Sequence, residues 1–268
     1  MSSPHERLSG AWNFRDVAET AGVRPGLLFR SSELSKLDAV GREALTDFGI
    51  GDVADLRSPR EVEHRGPGAV PNGVAVHRLP FPEVTHTHAE DEAAPHEGGW
   101  QKMMAEAGEG DAGEAAIRWM TAEYERFPVQ IGAQRAVRQV ITLLGRGRPV
   151  LVHCFAGKDR TGFAVAIALE AAGVGPQPIL EDYLRSNAAV SRLREDILSS
   201  ARSREGVTDE MVSFAESQLT EDVLGVREEY LAASRRVLDE THGGLAGYLR
   251  VAGVTDDDLT RLRAQLLG

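Results

Sequence analysis

The only cysteine of the 268-residue chain lies in a segment whose residue types suit nucleophilic chemistry. Cys154 follows the apolar run 150–153, VLVH, and precedes the charged stretch 157–162, GKDRTG, which a glycine brackets at each end. Only the thiolate form of a cysteine is a strong nucleophile. A strand, a tight loop and a buried helix direct loop amides and a positive helix end at one point, which favours anions. We therefore predict an anion pocket with Cys154 at its base.

Five residues separate Cys154 from Arg160, which lets the guanidinium fold back over the loop and face the sulfur. A guanidinium holds two phosphoryl oxygens in its planar fork, which a lysine does not. Thr161 can donate its hydroxyl to the sulfur and ease its departure in a second step. The spacing therefore predicts phosphoryl transfer, with Cys154 as nucleophile and Arg160 as clamp. The alternative for Arg160 is a structural ion pair with Asp159.

Short apolar runs and helical segments around this loop indicate the elements that position it. The runs that read as buried strands are 26–30, 52–56, 74–79 and 149–153. Segments with helical spacing lie at 116–127, 132–144 and 162–172. Strands separated by helices favour an α/β fold, with a mainly parallel central sheet flanked by helices. The continuously apolar VLVH run is typical of a strand that is covered on both faces.

The second half of the chain reads as helical throughout. After an amphipathic region at 189–219, helices are predicted at 227–240, 244–251 and 255–267, the last with Thr255 as its N-cap. No Pro/Gly/Ser-rich linker divides the two halves, so we predict a single domain over residues 1–268. Two interpretations of 189–219 stay open: a helical bundle packed on the core, or a lid over the loop.

Residues 85–113 differ from the rest in composition. This segment is rich in Ala, Glu, Gly and His and weakly periodic, so we predict a long, mobile surface excursion. A spacer without function is the alternative. The spacing of the histidines in and before it matches no metal-ligand motif, so no metal site is expected. These histidines are His77, His86, His88 and His96.

Composition excludes several classes of protein. The formal net charge of −11 argues against a nucleic-acid partner, which needs a basic surface. One cysteine excludes an intramolecular disulfide. No apolar run reaches the roughly 18 residues of a transmembrane helix, and the N-terminus lacks a signal-peptide core. The expectation is a cytoplasmic protein, or one secreted without a cleavable signal. The sequence does not indicate an oligomeric state.

The pattern Cys-x5-Arg followed by Thr is the signature of the protein tyrosine phosphatase superfamily, and further motifs make the resemblance more specific. With the loop HCFAGKDRTG, the chain closely resembles the mycobacterial protein tyrosine phosphatase B family, and the resemblance covers nearly its whole length. The motifs that carry it elsewhere are NFRDVA near 13, LFRSSELS near 29, DYLRSN near 182, LGVREEYLAAS near 224 and GGLAGYLR near 243.

This resemblance implies a phosphotyrosine phosphatase fold and hydrolysis of phosphotyrosine through a cysteinyl-phosphate intermediate. Some members of the family also accept phosphoserine, phosphothreonine and phosphoinositides. By this likeness Cys154 is the nucleophile, Arg160 the phosphate clamp and His153 the residue that orients the loop and favours the thiolate. The expected substrate-binding residues are Phe155, Ala156, Gly157, Lys158, Thr161 and Gly162. No cofactor is expected, because loop amides and Arg160 carry the electrostatic work.

The general acid is the residue that protonates the departing phenolate or alkoxide. Most tyrosine phosphatases take it from a mobile Trp-Pro-Asp loop, and no such triplet occurs here. The resembling family has an aspartate in the phosphate loop, as do the lipid-directed myotubularins, so we assign Asp159 as the acid. Glu83 is the runner-up. The alternative for Asp159 is that it simply holds Arg160 in place.

Two basic residues are candidates for contacts beyond the reacting phosphate. Arg60 is expected to reach a second phosphate or an acidic peptide, and Lys158 to add positive charge at the pocket rim for polyanionic substrates. A surface ion pair is the alternative for Arg60, as it is for Glu83, and an ordinary exposed lysine for Lys158.

Three functions remain in competition at this point. The first is a phosphotyrosine phosphatase of broad specificity, and the second is a phosphoinositide phosphatase with the same loop. The third is a binding module with dead chemistry, against which the retention of Cys154, Asp159, Arg160 and Thr161 argues. A rhodanese-type sulfur transferase also uses a loop cysteine, but its loop is shorter and lacks this pattern.

Overall fold

A five-stranded sheet carries the loop that contains Cys154. The computed structural model describes residues 8–81, 112–202 and 208–268. The strands are β1 (Arg15–Asp16), β2 (Leu28–Ser31), β3 (Asp52–Asp55), β4 (Ala75–Arg78) and β5 (Val150–His153). They lie in the order β1-β2-β5-β3-β4, with β1 antiparallel to β2 and the other neighbours parallel. The predicted α/β fold with a mainly parallel sheet is confirmed.

Strand β1 is the element of the sheet that the sequence did not predict. It has two residues, and its main-chain pairing sets Arg15 opposite Arg30 and Asp16 opposite Phe29. So short a strand shows no alternation of apolar and polar residues, which is the signal that a sequence offers for a strand. The other four strands lie within the predicted apolar runs or one residue beyond them.

Helices surround the sheet and make up the second half of the chain. In chain order they are α1 (Ala18–Ala21), α2 (Ala39–Asp47), α3 (Pro59–Arg65), α4 (Ala112–Arg126), α5 (Ile131–Leu144), α6 (Asp159–Ala172), α7 (Pro176–Leu184), α8 (Val190–Arg202), α9 (Asp209–Gln218), α10 (Glu221–Leu224), α11 (Glu228–His242), α12 (Leu245–Ala252) and α13 (Asp256–Leu266). The 3-10 segments Phe127–Val129 and Arg185–Ala189 connect neighbouring helices.

Strand β5 lies at the centre and is covered on both faces. Its alternate residues Val150 and Val152 belong to the larger apolar core, which α5, α6, α11, α12 and α13 complete. Leu151 faces the other way, into a smaller core with Phe29 and Val53. Because successive side chains of a strand point to opposite faces, the two cores explain why VLVH is apolar without interruption.

Helix α6 begins inside the charged stretch, and its predicted start at Gly162 was wrong. The helix starts at Asp159, with Lys158 as its N-cap residue. Asp159, Arg160 and Thr161 therefore form the first helical turn. The charged residues hid this start because the apolar periodicity begins only at Phe163.

At the other end of the chain, Thr255 caps α13 as predicted. Its hydroxyl accepts from the amide of Asp258 at 3.1 Å, and the Asp258 carboxylate accepts from the amide of Thr255 at 3.0 Å. This reciprocal pair is a capping box, which satisfies two amides that a helix start would otherwise leave without partners.

Almost all of the predicted surface excursion falls outside the described residues. Of 85–113, only 112 and 113 are described, and they open α4, four residues before the predicted start at 116. Glu83 and the histidines at 86, 88 and 96 also lie outside. Within residues 8–81, 112–202 and 208–268, no helix has the length and apolarity that crossing a bilayer requires.

Candidate active site

The loop from Cys154 to Lys158 has its carbonyl groups turned outward. All five carbonyl oxygens accept hydrogen bonds from residues outside this loop. Cys154 accepts from His153 Nδ1 at 2.9 Å, and Phe155 accepts from the amide of Glu33 at 2.8 Å. Asn13 Nδ2 donates to Ala156 and Gly157 at 3.0 Å each, and Arg30 Nη2 donates to Gly157 and Lys158 at 2.8 and 3.2 Å. In a planar trans peptide the N–H points opposite to the carbonyl. The amides of residues 155–159 therefore face the inside of the loop.

Gly157 allows the tight turn at the centre of this loop. Its φ of +63° lies in the left-handed region, which side-chain-bearing residues seldom adopt. A Cβ atom there would lie 1.9 Å from the carbonyl oxygen of Ser31, so strand β2 passes too close for any other residue.

A buried set of charged residues holds the two side chains that support the loop. Asp182 accepts from Arg30 Nη1 at 2.6 Å and from Arg15 Nε at 2.8 Å. Arg15 Nη1 in turn donates to Asn13 Oδ1 at 2.6 Å, which orients the amide that Asn13 offers to the loop. Removing one member of such a buried network leaves uncompensated charge, which is strongly destabilising. The motifs NFRDVA, LFRSSELS and DYLRSN thus supply the support of the loop.

Arg160 is held by Glu61, a residue that the sequence analysis did not single out. Glu61 Oε2 accepts from Nη1 at 2.6 Å and Oε1 accepts from Nη2 at 2.7 Å. Burial opposes the charge of Arg160, but Glu61 outweighs it and raises the pKa of Arg160 above its ordinary value; Cys154 and Asp159 contribute in the same direction. Burial likewise opposes ionisation of Glu61, and Arg160 overcomes it and lowers the pKa of Glu61. Both groups are therefore charged at neutral pH.

This ion pair leaves one edge of the guanidinium for a ligand. Of the five N–H bonds of Arg160, Glu61 takes two and the carbonyl of Leu56 accepts a third from Nη1 at 3.3 Å. The remaining two, on Nε and Nη2, form a side edge that matches two oxygens of a phosphoryl group. Among the described residues, Arg160 Nε and Thr161 Oγ1 are buried without a hydrogen-bond partner. Buried donors of this kind point to an anion, since leaving them unpaired is costly.

His153 orients the loop through a hydrogen bond. Burial lowers the pKa of His153 below its ordinary value of 6.5, although the carboxylate of Asp55 acts in the opposite direction. The ring is therefore neutral at pH 7, with its hydrogen on Nδ1, the atom that donates to the carbonyl of Cys154. In this state the ring holds the carbonyl of Cys154 by a hydrogen bond and carries no positive charge.

Asp159 lies beside the clamp without pairing to it. Its Oδ1 accepts from the hydroxyl of Tyr124 at 3.1 Å, and its Oδ2 lies 3.7 Å from the ammonium of Lys158. The carboxylate that holds Arg160 is that of Glu61, so the alternative in which Asp159 performs this task is wrong. Asp159 is thereby available for other chemistry.

Lys158 lies away from any open rim in this conformation. The residue is only 4% exposed, and its ammonium donates to the carbonyl of Leu224 at the end of α10. Helix α10 therefore covers the loop at this point, and Lys158 would meet a polyanionic substrate only after α10 had moved.

Arg60 is exposed on the first turn of α3, one residue before Glu61. Glu83, the runner-up acid, lies outside the described residues. A sequence signal for Glu61 did exist: Ser58-Pro59-Arg60-Glu61 has the spacing of a capping box, and the structure shows that box at the start of α3. The structure therefore brings together Cys154, Asp159, Arg160 and Thr161, and adds Glu61 and Tyr124.

Comparison with known proteins gives matches over most of the chain. The model of the tyrosine phosphatase family matches residues 6–268. The chain is 54% identical to the triple specificity protein phosphatase PtpB of Mycobacterium tuberculosis, over 97% of this chain and 98% of that protein. It is 31% identical to a putative tyrosine-protein phosphatase of Cupriavidus necator, over 95% of this chain and 85% of that protein. A tyrosine-protein phosphatase of Nostoc commune is 26% identical over 88% and 73% of the two chains.

Proposed function

The chain belongs to the tyrosine phosphatase family and is a protein-tyrosine phosphatase, and from that premise we propose that it hydrolyses phosphotyrosine through a cysteinyl-phosphate intermediate on Cys154. Phosphoserine and phosphothreonine are part of the same proposal, which the name of the triple specificity relative supports. The observation that carries the mechanism is the row of five outward carbonyls, which places the loop amides on the inner side of the loop.

In the first step the sulfur of Cys154 attacks phosphorus while the bond from phosphorus to the leaving oxygen breaks. The loop amides and the Nε–Nη2 edge of Arg160 hold the three other oxygens and stabilise their charge in the transition state. Asp159 gives its proton to the leaving oxygen, which would otherwise depart as an unstable anion.

In the second step a water molecule attacks the phosphorus of the intermediate. The Asp159 carboxylate takes a proton from that water, and the sulfur–phosphorus bond breaks. The hydroxyl of Thr161, which has no partner among the described residues, donates to the departing sulfur. Because the protein supplies every charge and proton that these steps need, they require no cofactor.

Phosphoinositide hydrolysis is the second candidate, and Lys158 is the feature that favours it. A lysine beside the acid in the loop offers a contact for a second phosphate of a polyphosphorylated ring. The ammonium of Lys158 now donates to Leu224, so this candidate also requires movement of α10.

Replacing the acid tests the proposed function directly. Asp159→Asn is expected to lower kcat about 10²- to 10⁴-fold on alkyl phosphates and phosphotyrosine, since these need protonation of the leaving oxygen. On p-nitrophenyl phosphate the loss is expected to stay within about tenfold, because nitrophenolate departs without a proton. The measurement is steady-state hydrolysis of a series of monoesters by the wild type and the variant.

The same series separates the substrate classes. Phosphotyrosine, phosphoserine and phosphothreonine peptides and a phosphoinositide in mixed micelles are assayed in parallel. Faster turnover of the phosphoinositide than of every peptide would make the second candidate the main activity. Equal losses on all leaving groups in Asp159→Asn would move the acid elsewhere.

We propose in addition that α8, α9 and α10 form a lid over the loop. Phe155 and Ala156 share one apolar cluster with Val190, Leu193, Leu198, Val212 and Leu224 of these helices and with Leu219 in the link between α9 and α10. Cys154 is only 2% exposed and Arg160 only 4%, which agrees with an element that covers the loop. This supports the lid over the alternative of a fixed bundle.

Asp196 of α8 ties the lid to the body of the protein. Its carboxylate accepts from Lys36 at 2.6 Å and also from Arg65, whose guanidinium lies 4.1 Å above the ring of Phe155. Partly exposed ion pairs of this kind are each worth about 1 kcal/mol or less. They therefore hold the lid closed without preventing it from opening.

Loosening this contact should expose the nucleophile. Asp196→Asn is expected to raise the rate of Cys154 alkylation by iodoacetate about fivefold, since a loss near 1 kcal/mol raises the open population by that factor. Asp239→Asn is the matched control, because it removes an ion pair with Arg235 within α11. An unchanged alkylation rate in Asp196→Asn would leave α8–α10 as a fixed part of the core.

A further inference from the structure

Two buried tyrosines from separate helices end in a hydrogen bond to Asp159. The hydroxyl of Tyr183 on α7 donates to the phenolic oxygen of Tyr124 on α4 at 2.8 Å. Tyr124 donates to Oδ1 of Asp159 at 3.1 Å, and both rings are fully enclosed. The direction follows from the carboxylate, which in its ionised form only accepts.

Both phenols remain donors across the pH range in which a protein works. Burial, together with the nearby charge of Asp159, raises the pKa of Tyr124 and that of Tyr183 well above the ordinary value of 10. The pairing is also not a general property of tyrosines in this core. Among the described residues, the hydroxyls of Tyr230 and Tyr248 are buried without a partner.

The two oxygens of Asp159 are consequently unequal. Oδ1 accepts from Tyr124, while Oδ2 has no hydrogen-bond partner among the described residues. The nearest cation, the ammonium of Lys158, lies 3.7 Å from Oδ2 and donates to the carbonyl of Leu224 instead. A proton on the carboxyl group is therefore best placed on Oδ2, the oxygen left for the substrate.

We propose that Tyr124 is a positioning residue for the general acid: it fixes the carboxyl plane of Asp159 and makes Oδ2 the oxygen that gives its proton to the leaving group. This inference rests on the proposed role of Asp159. When the bond from phosphorus to the leaving oxygen breaks, that oxygen takes the Oδ2 proton and Asp159 becomes a carboxylate. Tyr124 keeps its own proton throughout.

The hydrogen bond from Tyr124 gains strength as the reaction proceeds. It meets a neutral carboxyl group at the start and a carboxylate at the end, and bonds to an ionised acceptor are about twice as strong. An interaction that is stronger in the transition state than in the ground state raises kcat and leaves substrate binding unchanged. Tyr183 fixes the phenol of Tyr124, and its ring also packs on Gly162, where a Cβ would lie 2.8 Å from a ring carbon.

Tyr124→Phe tests this role. On alkyl phosphates and phosphotyrosine kcat is expected to fall about 10- to 100-fold, the effect of losing a hydrogen bond to a charged group. On p-nitrophenyl phosphate the loss is expected to be much smaller. KM and the rate of Cys154 alkylation are expected to remain at the wild-type values, which a merely structural disturbance of the loop would change.

Tyr248→Phe is the matched control. It removes the hydroxyl of another buried tyrosine in the same core, and among the described residues that hydroxyl has no partner. Its kinetics are expected to equal those of the wild type. A loss in Tyr124→Phe that is the same for every leaving group, or one that appears mainly in KM, would overturn the inference.

Asp159→Asn distinguishes a failure of the proposed acid from a failure of the positioning role of Tyr124. If Asp159→Asn shows no dependence on the leaving group, the role of Asp159 fails and this inference fails with it. If Asp159→Asn shows the dependence and Tyr124→Phe does not, only the positioning role is wrong. The double variant is expected to be no slower than Asp159→Asn alone, since Tyr124 acts through Asp159, and losses that multiply would contradict this.

Tyr183→Phe provides a second route if Tyr124→Phe does not fold. It leaves the phenol of Tyr124 in place without its donor, and the same pattern with a smaller loss is expected. A loss that is independent of the leaving group in this variant would overturn the inference as well.

Discussion

Cys154→Ser is expected to abolish turnover of a phosphotyrosine peptide while the peptide still binds. A serine hydroxyl in the same loop stays protonated at neutral pH and is a far weaker nucleophile than a thiolate, so the attack on phosphorus is lost. Removal of a nucleophile of this kind lowers kcat by about 10⁵-fold or more. The amides of the loop and Arg160 are untouched, so the phosphate site itself remains.

Two measurements check this result. Steady-state hydrolysis gives kcat, and calorimetric titration of the variant with the peptide gives Kd. Acid quenching of the wild type during turnover should in addition yield a phosphorylated peptide that contains Cys154, and the variant should yield none. Turnover within tenfold of the wild type would remove Cys154 from the mechanism, and loss of peptide binding would show that the loop had changed shape.

Much of this site could be predicted because its reacting groups are close in sequence. Cys154, Asp159, Arg160 and Thr161 belong to one strand–loop–helix unit, whose spacing alone indicates what the side chains face. The four main strands were visible for a similar reason, since each is a short local run of apolar residues. Local patterns of this kind survive in a single sequence without any knowledge of the tertiary structure.

The residues that hold the reacting groups could not be predicted in this way. Glu61 meets Arg160 across 99 residues of sequence, and Tyr124 meets Asp159 across 35. Each of them also has an ordinary explanation in the sequence, as a helix cap for Glu61 and as a core aromatic for Tyr124. Only the tertiary structure, which brings Glu61 of α3 to Arg160 and Tyr124 of α4 to Asp159, shows their second role.

The residues that support the loop from outside could be predicted only in part. Asn13, Arg30 and Asp182 stand in motifs that carried the family resemblance, but nothing in the sequence assigned them a task. Their contacts with the loop carbonyls and with one another span 127 to 152 residues. The structure explains why these polar residues are buried. Because the loop amides face inward, the loop carbonyls face outward, and Asn13 and Arg30 donate hydrogen bonds to them. Asp182 balances the charge of Arg30.

Arg160→Lys is expected to lower kcat/KM on phosphotyrosine about 10³-fold or more, the effect of losing an arginine that stabilises a phosphoryl transition state. A lysine keeps the positive charge but has no two-donor edge for the equatorial oxygens. It would also form its ion pair with Glu61, which draws the ammonium away from the anion. Steady-state kinetics with the peptide and with p-nitrophenyl phosphate measure the loss.

Glu61→Gln separates the orientation of Arg160 from its charge. The glutamine retains one acceptor for the guanidinium and loses the other, so Arg160 is free to turn, and a loss of about 10- to 100-fold in kcat is expected. Because Glu61 also caps α3, part of any effect could come from the helix start. Ser58→Ala removes the cap, at a cost of about 1 kcal/mol in stability, and leaves the pair of Glu61 with Arg160 intact.

The comparison of these three variants decides what Glu61 does. If it orients the clamp, Ser58→Ala keeps kcat near the wild-type value, Glu61→Gln lowers it, and Arg160→Lys lowers it most. If Ser58→Ala and Glu61→Gln lose the same activity and the same stability, Glu61 is a helix cap alone. In that case the first turn of α6 and the hydrogen bond from Arg160 to the carbonyl of Leu56, which follows β3, set the position of the side edge.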